Sequence, residues 1–371
     1  MKIGITGNNG FIGYHLSNSI TYLKGDWSVI SFSKNIFQST KALCSWISEC
    51  DVIVHLAGVN RADTDQEVYE ANIKLNEALK EAIEFSNFAG HLIFASSAQE
   101  NSETLYGKAK KESRIFLKDA VAKQGGKFTG LIIPNVFGPF CKPNYNSFIA
   151  TFCSKILNKE DPTIINDAEV PLVYVGQLVD QVIDIISKGT QNERLEISKD
   201  IDINVSKVLS LLETFNSSYI ENNTIPSFNS QFELQLFNTF RSYLNLDNRY
   251  PVLLEKHTDS RGFFSEIIRT DLGGQFSFST TLQGITRGNH FHTRKIERFI
   301  VIQGNAKISL RKIGTSETHE FELIGEDASY VDMPIWHTHN ITNIGTEPLI
   351  TAFWINEPYD PSDPDTFMEI V

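Results

Sequence analysis

The chain has 371 residues, of which 41% are hydrophobic and 21% charged, and its 33 Lys and Arg against 45 Asp and Glu give a formal charge of −12. This is ordinary globular composition with apolar material for one to three domains, so wholesale disorder is excluded. An acidic chain repels a phosphate backbone, no apolar run reaches the roughly 18 residues of a membrane span, and the N-terminal MKIGITGNNGF lacks the apolar core of a signal peptide, so nucleic-acid binding, membrane insertion and secretion are not expected.

In chain order, residues 2–6 are a short β-like run, followed by a Gly-rich turn and a helical stretch from about Phe11. Residues 28–32 read as a second strand, and 51–56 (DVIVHL) as an apolar run typical of a buried parallel strand. A helix is expected from about 66 to 85, a strand at 91–95, a helix over 103–121 and a buried strand at 130–134. This alternation predicts an α/β, doubly wound parallel sheet of Rossmann type with helices on both faces. Residues 216–248 are polar, Asn-rich and partly helical, and read as the tail of the first domain plus a connector. After about Arg249 the texture changes to strand-like runs split by turns (FFSEII, RFIVIQGNAKISLRKI, ASYVDMP, LITAFWI), which predict an all-β barrel or sandwich. Two domains are expected, 1–245 and 250–371. The four cysteines, Cys44, Cys50, Cys141 and Cys153, form no CxxC pair and read as reduced thiols of a cytoplasmic protein.

The run TGNNGFIG places Gly7, Gly10 and Gly13 between the first strand and a helix. A side chain at these positions would block the tight turn, the approach of backbone to a pyrophosphate, or helix–strand packing, and the helix N-terminus offers its N–H groups to the phosphates. The second strand ends in Ser31-Phe32-Ser33-Lys34, without the carboxylate that accepts the ribose hydroxyls of NAD. A missing acid and a gained cation at Lys34 favour NADP; the alternative is a solvated lysine.

Tyr106 and Lys110 have YxxxK spacing, which puts both on one face of a helix. There the ammonium can lower the phenol pKa and hold the nicotinamide ribose, while Ser97 upstream can bind a carbonyl oxygen and Tyr106 can donate the proton as hydride arrives. The segment 142–149, with Asn144, Asn146 and Ser147, offers amides and hydroxyls to a sugar or diphosphate; a loop that only caps a helix near Ser147 is the alternative.

Taken together, TGNNGFIG, HLAGVNR (55–61), Asn72, SSAQ (96–99), YGKAK (106–110) and PNVFGP (134–139) resemble an extended short-chain dehydrogenase/reductase over residues 1 to about 245. The resemblance implies Ser97, Tyr106 and Lys110 as the catalytic set, with Asn72 supporting a water relay to the lysine. It implies cofactor contacts from Gly7, Asn9, Gly10, Phe11, Ile12, Gly13, Ser33, Lys34, Leu56, Ala57 and Gly58, and from Tyr106 and Lys110 themselves. Asn135 falls in the family's sugar-nucleotide region. Ile132 stands where the family often has an arginine.

In the second half, His290 and His292 alternate on a strand and so face one side, Glu297 returns from the next segment, and His339 lies on a later strand. Three imidazoles and a carboxylate suit Zn²⁺, Fe²⁺, Mn²⁺, Ni²⁺ or Cu²⁺. His337 is a rival for His339, which is preferred by spacing. The pattern resembles the two cupin motifs, a jelly-roll barrel, with Ala328 and Trp336 in place of usual glycines. Residues 259–266 and 286–290, including Arg261 and Arg287, resemble stretches of deoxysugar 3,5-epimerases, and both arginines are expected to meet substrate.

The whole chain resembles the bifunctional capsular polysaccharide UDP-sugar reductase/epimerases. That resemblance implies C3 epimerisation of UDP-2-acetamido-2,6-dideoxy-β-L-arabino-hexos-4-ulose in the cupin domain and NADPH-dependent reduction at C4 to UDP-N-acetyl-6-deoxy-L-talosamine, on the UDP-N-acetyl-L-fucosamine route. It also implies a Zn²⁺-bearing cupin and a homodimer joined through it. The alternative is a 4-reductase whose cupin is only a dimerisation module.

Overall fold

The structure, a computed structural model, describes the chain except residues 260, 261, 265, 266, 269, 271 and 272, and gives the backbone alone for 258, 259 and 262–264. The expected substrate residue Arg261 therefore lies outside the described residues. Contacts divide the chain into two compact units: Met1–Thr151 with Ile164–Ser206, and Phe152–Thr163 with Lys207–Val371. Among the described residues no helix is long and apolar enough to cross a membrane.

The first unit runs β1 (Lys2–Thr6), α1 (Phe11–Leu23), β2 (Ser28–Ile30), α2 (Thr40–Ser48), β3 (Val52–His55), α3 (Asp65–Ser86), β4 (His91–Ser97), α4 (Leu105–Lys123), β5 (Lys127–Ile133), β6 (Asn135–Phe137), α5 (Phe148–Leu157) as far as Thr151, β7 (Glu169–Tyr174), α6 (Val175–Lys188), β8 (Asn192–Glu196) and β9 (Ile201–Asn204). A parallel sheet has the order β2-β1-β3-β4-β5-β8, and β6-β7-β9 form a second sheet. Strand side chains alternate between two cores, as a sheet covered on both faces requires. Val54 and Ile93 pack with Leu16 and Val179 from α1 and α6, whereas Ile53, Leu92 and Phe94 pack with Leu43, Leu79 and Leu117 from α2, α3 and α4. Helix α3 starts in a capping box between Thr64 and Glu67 and stops at Asn87, whose φ of 50° is left-handed.

The second unit contains α7 (Val205–Phe215) from Lys207 onward, α8 (Gln231–Arg241), α9 (Leu246–Arg249) and strands β10 (Val252–Leu253), β11 (His257–Asp259), β12 (Gly262–Phe264), β13 (Gln275–Thr281), β14 (Thr286–Phe291), β15 (Glu297–Gln303), β16 (Asn305–Lys312), β17 (Thr318–Ile324), β18 (Ser329–Met333), β19 (His337–Asn343), β20 (Leu349–Ile355) and β21 (Phe367–Met368). Two antiparallel sheets, β10-β18-β15-β20-β13 and β17-β16-β19-β14-β21, make a cupin-type barrel around Phe299, Val301, Ile308, Leu310, Val331 and Ile341.

Residues 207–249 group with this barrel rather than with the preceding sheet. Side chains alternate along β15 and β18, so Arg298, Tyr330 and Asp332 form a polar patch on one face. Arg298 donates to Asp332 at 2.7 and 3.1 Å and lies 3.6 Å from the centre of the Tyr330 ring. Tyr219 donates to Asp332 at 2.5 Å, Arg241 donates to the Met333 carbonyl at 3.0 Å, and Asn238 donates to the Arg294 carbonyl at 2.9 Å. A buried charged face needs polar partners, and this polar, Asn-rich helical stretch supplies them.

Candidate functional site

The loop between β1 and α1 fits a phosphate-bearing ligand because its glycines leave room for little else. Gly7 has a φ of +72°, and a Cβ on it would lie 2.9 Å from Ala57 N; one on Gly13 would lie 2.2 Å from Gly7 O. Helix α1 has no side-chain cap at Gly10 and no acid in its first turn, so its leading N–H groups and partial positive charge remain available. Asn9 and Gly10 are exposed there, and Phe11 and Ile12 half-buried. Thr6 Oγ1 joins this loop to the one after β3, meeting His55 Nδ1 at 2.7 Å and accepting from Ala57 N at 3.2 Å. Burial, and then the Lys110 charge, push His55 down to about 3, so it is a neutral, fixed partner. Leu56, Ala57 and Gly58 follow on this loop, while Ser33 and Lys34 stand exposed beyond the end of β2, where Lys34 opens a 3₁₀ turn instead of extending the strand.

Ser97 ends β4, and Tyr106 and Lys110 share one face of α4. Lys110 is buried; its Nζ donates to the Ala95 carbonyl at 3.0 Å and lies 5.8 Å from the Tyr106 ring centre. Gly58 makes this approach possible, since a Cβ there would sit 3.2 Å from both Lys110 Nζ and Asn72 Oδ1. Burial pushes Lys110 down to about 8 despite Glu100. Burial, and then neighbouring Tyr145, push the Tyr106 phenol up to about 12, the reverse of the lowering expected from the lysine. Desolvation of the ionisable oxygen dominates, and the phenol is held protonated, the form that donates.

Asn72, the expected relay residue, uses its side chain to hold a loop. Its Nδ2 donates to the carbonyls of Val59 and Val68 at 2.6 and 2.7 Å, and its Oδ1 accepts from Val59 N at 3.1 Å, so the side chain clips the loop after β3 to α3. Glu100, which spacing did not flag, is buried under a bidentate Arg114 and supports the turn after Ser97.

Of the expected substrate residues, Asn135 is exposed on β6 and donates to the Pro171 carbonyl at 3.3 Å. Ser147 Oγ accepts from Ala150 N at 3.3 Å, a helix-capping contact. Asn144 is left-handed at φ 54°, and its carbonyl accepts from Arg61 at 3.0 Å. Asn146 is exposed on the same loop. Arg287 ties β14 to the end of β13, donating to Thr281 Oγ1 and the Thr280 carbonyl at 3.1 Å each.

In the second unit the four expected ligands come together: His290, His292, Glu297 and His339 offer atoms within 4.8 Å of one another. His292 and His339 each place Nε2 3.2 Å from Glu297 Oε2. The Nδ1 of His292 faces the Asp365 carbonyl at 2.5 Å and that of His339 the His337 carbonyl at 3.2 Å. A carbonyl only accepts, so both rings carry their proton on Nδ1 and turn Nε2 lone pairs toward a carboxylate. The buried Nε2 of His339 has no hydrogen-bond partner among the described residues. Acceptors facing acceptors fit a cation between them. His290 is pushed down to about 3 by burial and then by His339 and His292. Burial works to raise the Glu297 carboxyl, but His292 and His339, once protonated on Nε2 as well, donate to it and hold it well below the usual range.

The chain's last residues complete this centre, a feature the spacing could not disclose. Besides its carbonyl's bond to His292, Asp365 accepts from the backbone N–H of Thr293, Arg294 and Lys295 at 3.0–3.1 Å. Strand β21 pairs His290 with Met368 and Phe291 with Phe367. The left-handed turns stay despite the missing glycines: Ala328 has φ 50° and Trp336 φ 58°. Trp336 N donates to the His292 carbonyl at 2.7 Å.

Residues 3–198 match the NAD dependent epimerase/dehydratase family, and residues 257–367 match the polysaccharide biosynthesis C-terminal domain. The chain is 35% identical to the UDP-2-acetamido-2,6-beta-L-arabino-hexul-4-ose reductase of Pseudomonas aeruginosa, over 99% of this chain and 98% of that protein. It is similar to the crystal structure of the capsular polysaccharide assembling protein CapF from Staphylococcus aureus, with 32% identity, a TM-score of 0.63 and full coverage of both chains. In fold alone, 58% of the chain is similar to 82% of RMD from Pseudomonas aeruginosa, at 15% identity and a TM-score of 0.52. With its glycine cradle and parallel sheet, the chain belongs to the NAD-dependent epimerase/dehydratase family and carries a polysaccharide biosynthesis C-terminal domain.

Proposed function

We propose that the chain is an NADPH-dependent reductase of a UDP-linked 4-keto sugar in capsule or O-antigen polysaccharide biosynthesis, and that its barrel first epimerises the same sugar at C3. Similarity to a named reductase over 99% of the chain carries this reading. The gathering of Ser97, Tyr106 and Lys110 at the carboxyl ends of the parallel strands, beside the glycine cradle, supports it. The substrate in view is UDP-2-acetamido-2,6-dideoxy-β-L-arabino-hexos-4-ulose, and the product UDP-N-acetyl-6-deoxy-L-talosamine.

The loop 7–13 and the N-terminus of α1 would hold the cofactor's pyrophosphate, and Lys34 its 2′-phosphate. Bound NADPH would supply the hydride that C4 receives. Ser97 Oγ holds the C4 oxygen, Tyr106 donates its proton to that oxygen, and Lys110 offsets the phenolate left behind. His290, His292, Glu297 and His339 would hold a divalent cation, Zn²⁺ in this reading, whose Lewis acidity would polarise the C4 carbonyl and so acidify the C3 proton.

The barrel as a dimerisation module alone is the second reading. Edge strand β13 favours it, since Phe276 and Phe278 are 54% and 75% exposed and Leu282 next to it 69%. Such a face fits a second copy of the chain. Both readings include a homodimer, and solvent-deuterium incorporation at C3 without NADPH separates them. Incorporation by the wild-type chain and none by His290→Ala supports the epimerase; no incorporation by the wild type leaves the module. For the reductase, Tyr106→Phe abolishes NADPH oxidation while cofactor binding persists, and retained turnover removes Tyr106 as donor.

A further inference from the structure

In the first unit two cations stand beside Tyr145, on the loop after β6. Arg61 lies with its guanidinium 5.6 Å from the Tyr145 ring centre, and Lys142 Nζ lies 5.7 Å from it. Arg61 is held in place twice: its NH1 donates to the Asn144 carbonyl at 3.0 Å, and the backbone two residues before it is clipped at both Val59 N and Val59 O by Asn72. Neither cation makes an ion pair among the described residues, in a chain whose net charge is −12. Beyond the bond to Asn144, their N–H groups have no acceptor there. Arg61 follows Gly58 by three residues, and a Cβ on Gly58 would sit 3.2 Å from Lys110 Nζ, so the pair borders the reacting end of the site; Tyr145 is also near enough to Tyr106 to raise its phenol. Two preset, uncompensated cations on an aromatic face match an anion with adjacent phosphoryl groups, which Arg meets through its planar fork and Lys as a point charge.

We propose that Arg61 and Lys142 bind the diphosphate of the nucleotide-sugar substrate and thereby set the sugar against Tyr106, an assignment that rests on the reductase function proposed above. Tyr145 carries both cations and shapes the seat. Calorimetric titration with UDP tests this on the full chain. Arg61→Gln and Lys142→Gln each weaken UDP binding about tenfold, and the double variant more, while NADPH affinity stays within twofold. Arg61→Lys recovers part of the loss. In turnover the double variant raises KM for the UDP-sugar and leaves kcat within about threefold, because neither cation touches the reacting atoms. Unchanged UDP affinity in the double variant, equal losses of UDP and NADPH, or a fall in kcat with KM intact would each overturn the assignment. A wild-type chain that binds NADPH but no UDP refutes the substrate reading itself.

Discussion

In the first unit the candidate groups stand on loops at the carboxyl ends of parallel strands, held by backbone contacts and by the absence of side chains at Gly7, Gly13 and Gly58. In the second, four ligands stand on antiparallel strands inside a barrel, and two of the three imidazoles give their Nδ1 to a backbone carbonyl. The first arrangement presents backbone N–H groups and a few side chains to a large cofactor and substrate. The second leaves only a gap between lone pairs, wide enough for an ion. Desolvation then acts in opposite senses. It costs the first site, where the Glu100 carboxylate is too little to hold Lys110 at its usual value, and it is offset in the second, where Glu297 meets two imidazoles.

The sharpest way to break that contrast is Lys110→Met. Turnover falls by about a hundred- to ten-thousand-fold, the usual scale for a group serving acid–base chemistry. Stability moves the other way. Lys110 titrates at about 8 in the folded chain and at 10.5 ordinarily, so the folded state binds fewer protons between those values. Wild-type stability without cofactor therefore rises as pH climbs from about 8 toward 10.5, and below 8 the cost of burying the ammonium is present in full, up to roughly 3 kcal/mol. The methionine variant lacks that cost, less about 1 kcal/mol for the lost bond to Ala95 O. Urea midpoints of both proteins should differ most at pH 7 and converge at alkaline pH; a pH-independent difference would remove desolvation as the cause.

For the barrel, treatment with a chelator is the matching experiment. A chelator should lower the unfolding midpoint of the second unit by the equivalent of about 3–4 kcal/mol if the ion is bound at a hundred to a thousand times its Kd. His292→Ala should be insensitive to the chelator, and NADPH affinity should not change in either case. A wild-type melting curve indifferent to chelation would mean that the four ligands hold no ion.

Much of both sites was legible because their contacts are local or periodic. The glycine turn is fixed by what a Cβ would strike, YxxxK by the pitch of a helix, and His290 with His292 by the alternation of a strand. The rest depends on chain separation that no period encodes. Tyr219 and Asp332 are 113 residues apart, so the sequence of 216–248 reads only as the tail of the first domain plus a connector, with nothing to disclose the charged sheet face that it covers. Asn72 matched a family position, but its bonds to Val59, 13 residues back, are brought within reach only by the fold. Tyr106 kept its place but not the expected direction of its pKa, because burial is not written in a five-residue motif.

Asp365 is the clearest case of the unreadable part, and a smaller effect should attach to it. It lies 73 residues from His292 and fixes that ring through a backbone carbonyl while its carboxylate gathers three N–H groups of the 293–295 turn. Asp365→Ala should leave the fold and the reductase cofactor site intact and weaken metal binding about 10- to 100-fold, the range seen when a ligand's own support is cut. Metal competition with a chromophoric chelator measures it. Unchanged affinity would show that the turn holds itself and that the tail only covers it.

The smallest expected effect concerns Ala328, where a glycine was expected and a left-handed backbone is found at φ 50°. A non-glycine residue there costs roughly 1–2 kcal/mol, and glycine in its place returns about half of that through the greater freedom of its unfolded chain. Both backbone groups are already engaged, N–H to the Gly325 carbonyl at 3.4 Å and C=O from Leu254 N at 2.9 Å, so the turn need not move. Ala328→Gly should therefore stabilise the barrel by up to about 1 kcal/mol, with metal affinity unchanged. Trp336, also left-handed, is no counterpart, because its buried indole stacks on Phe291 at 5.5 Å and would be lost with the strain. A destabilised Ala328→Gly would mean that the methyl group's packing outweighs the backbone, and that the turn before β18 is set by side-chain contact rather than by chain conformation.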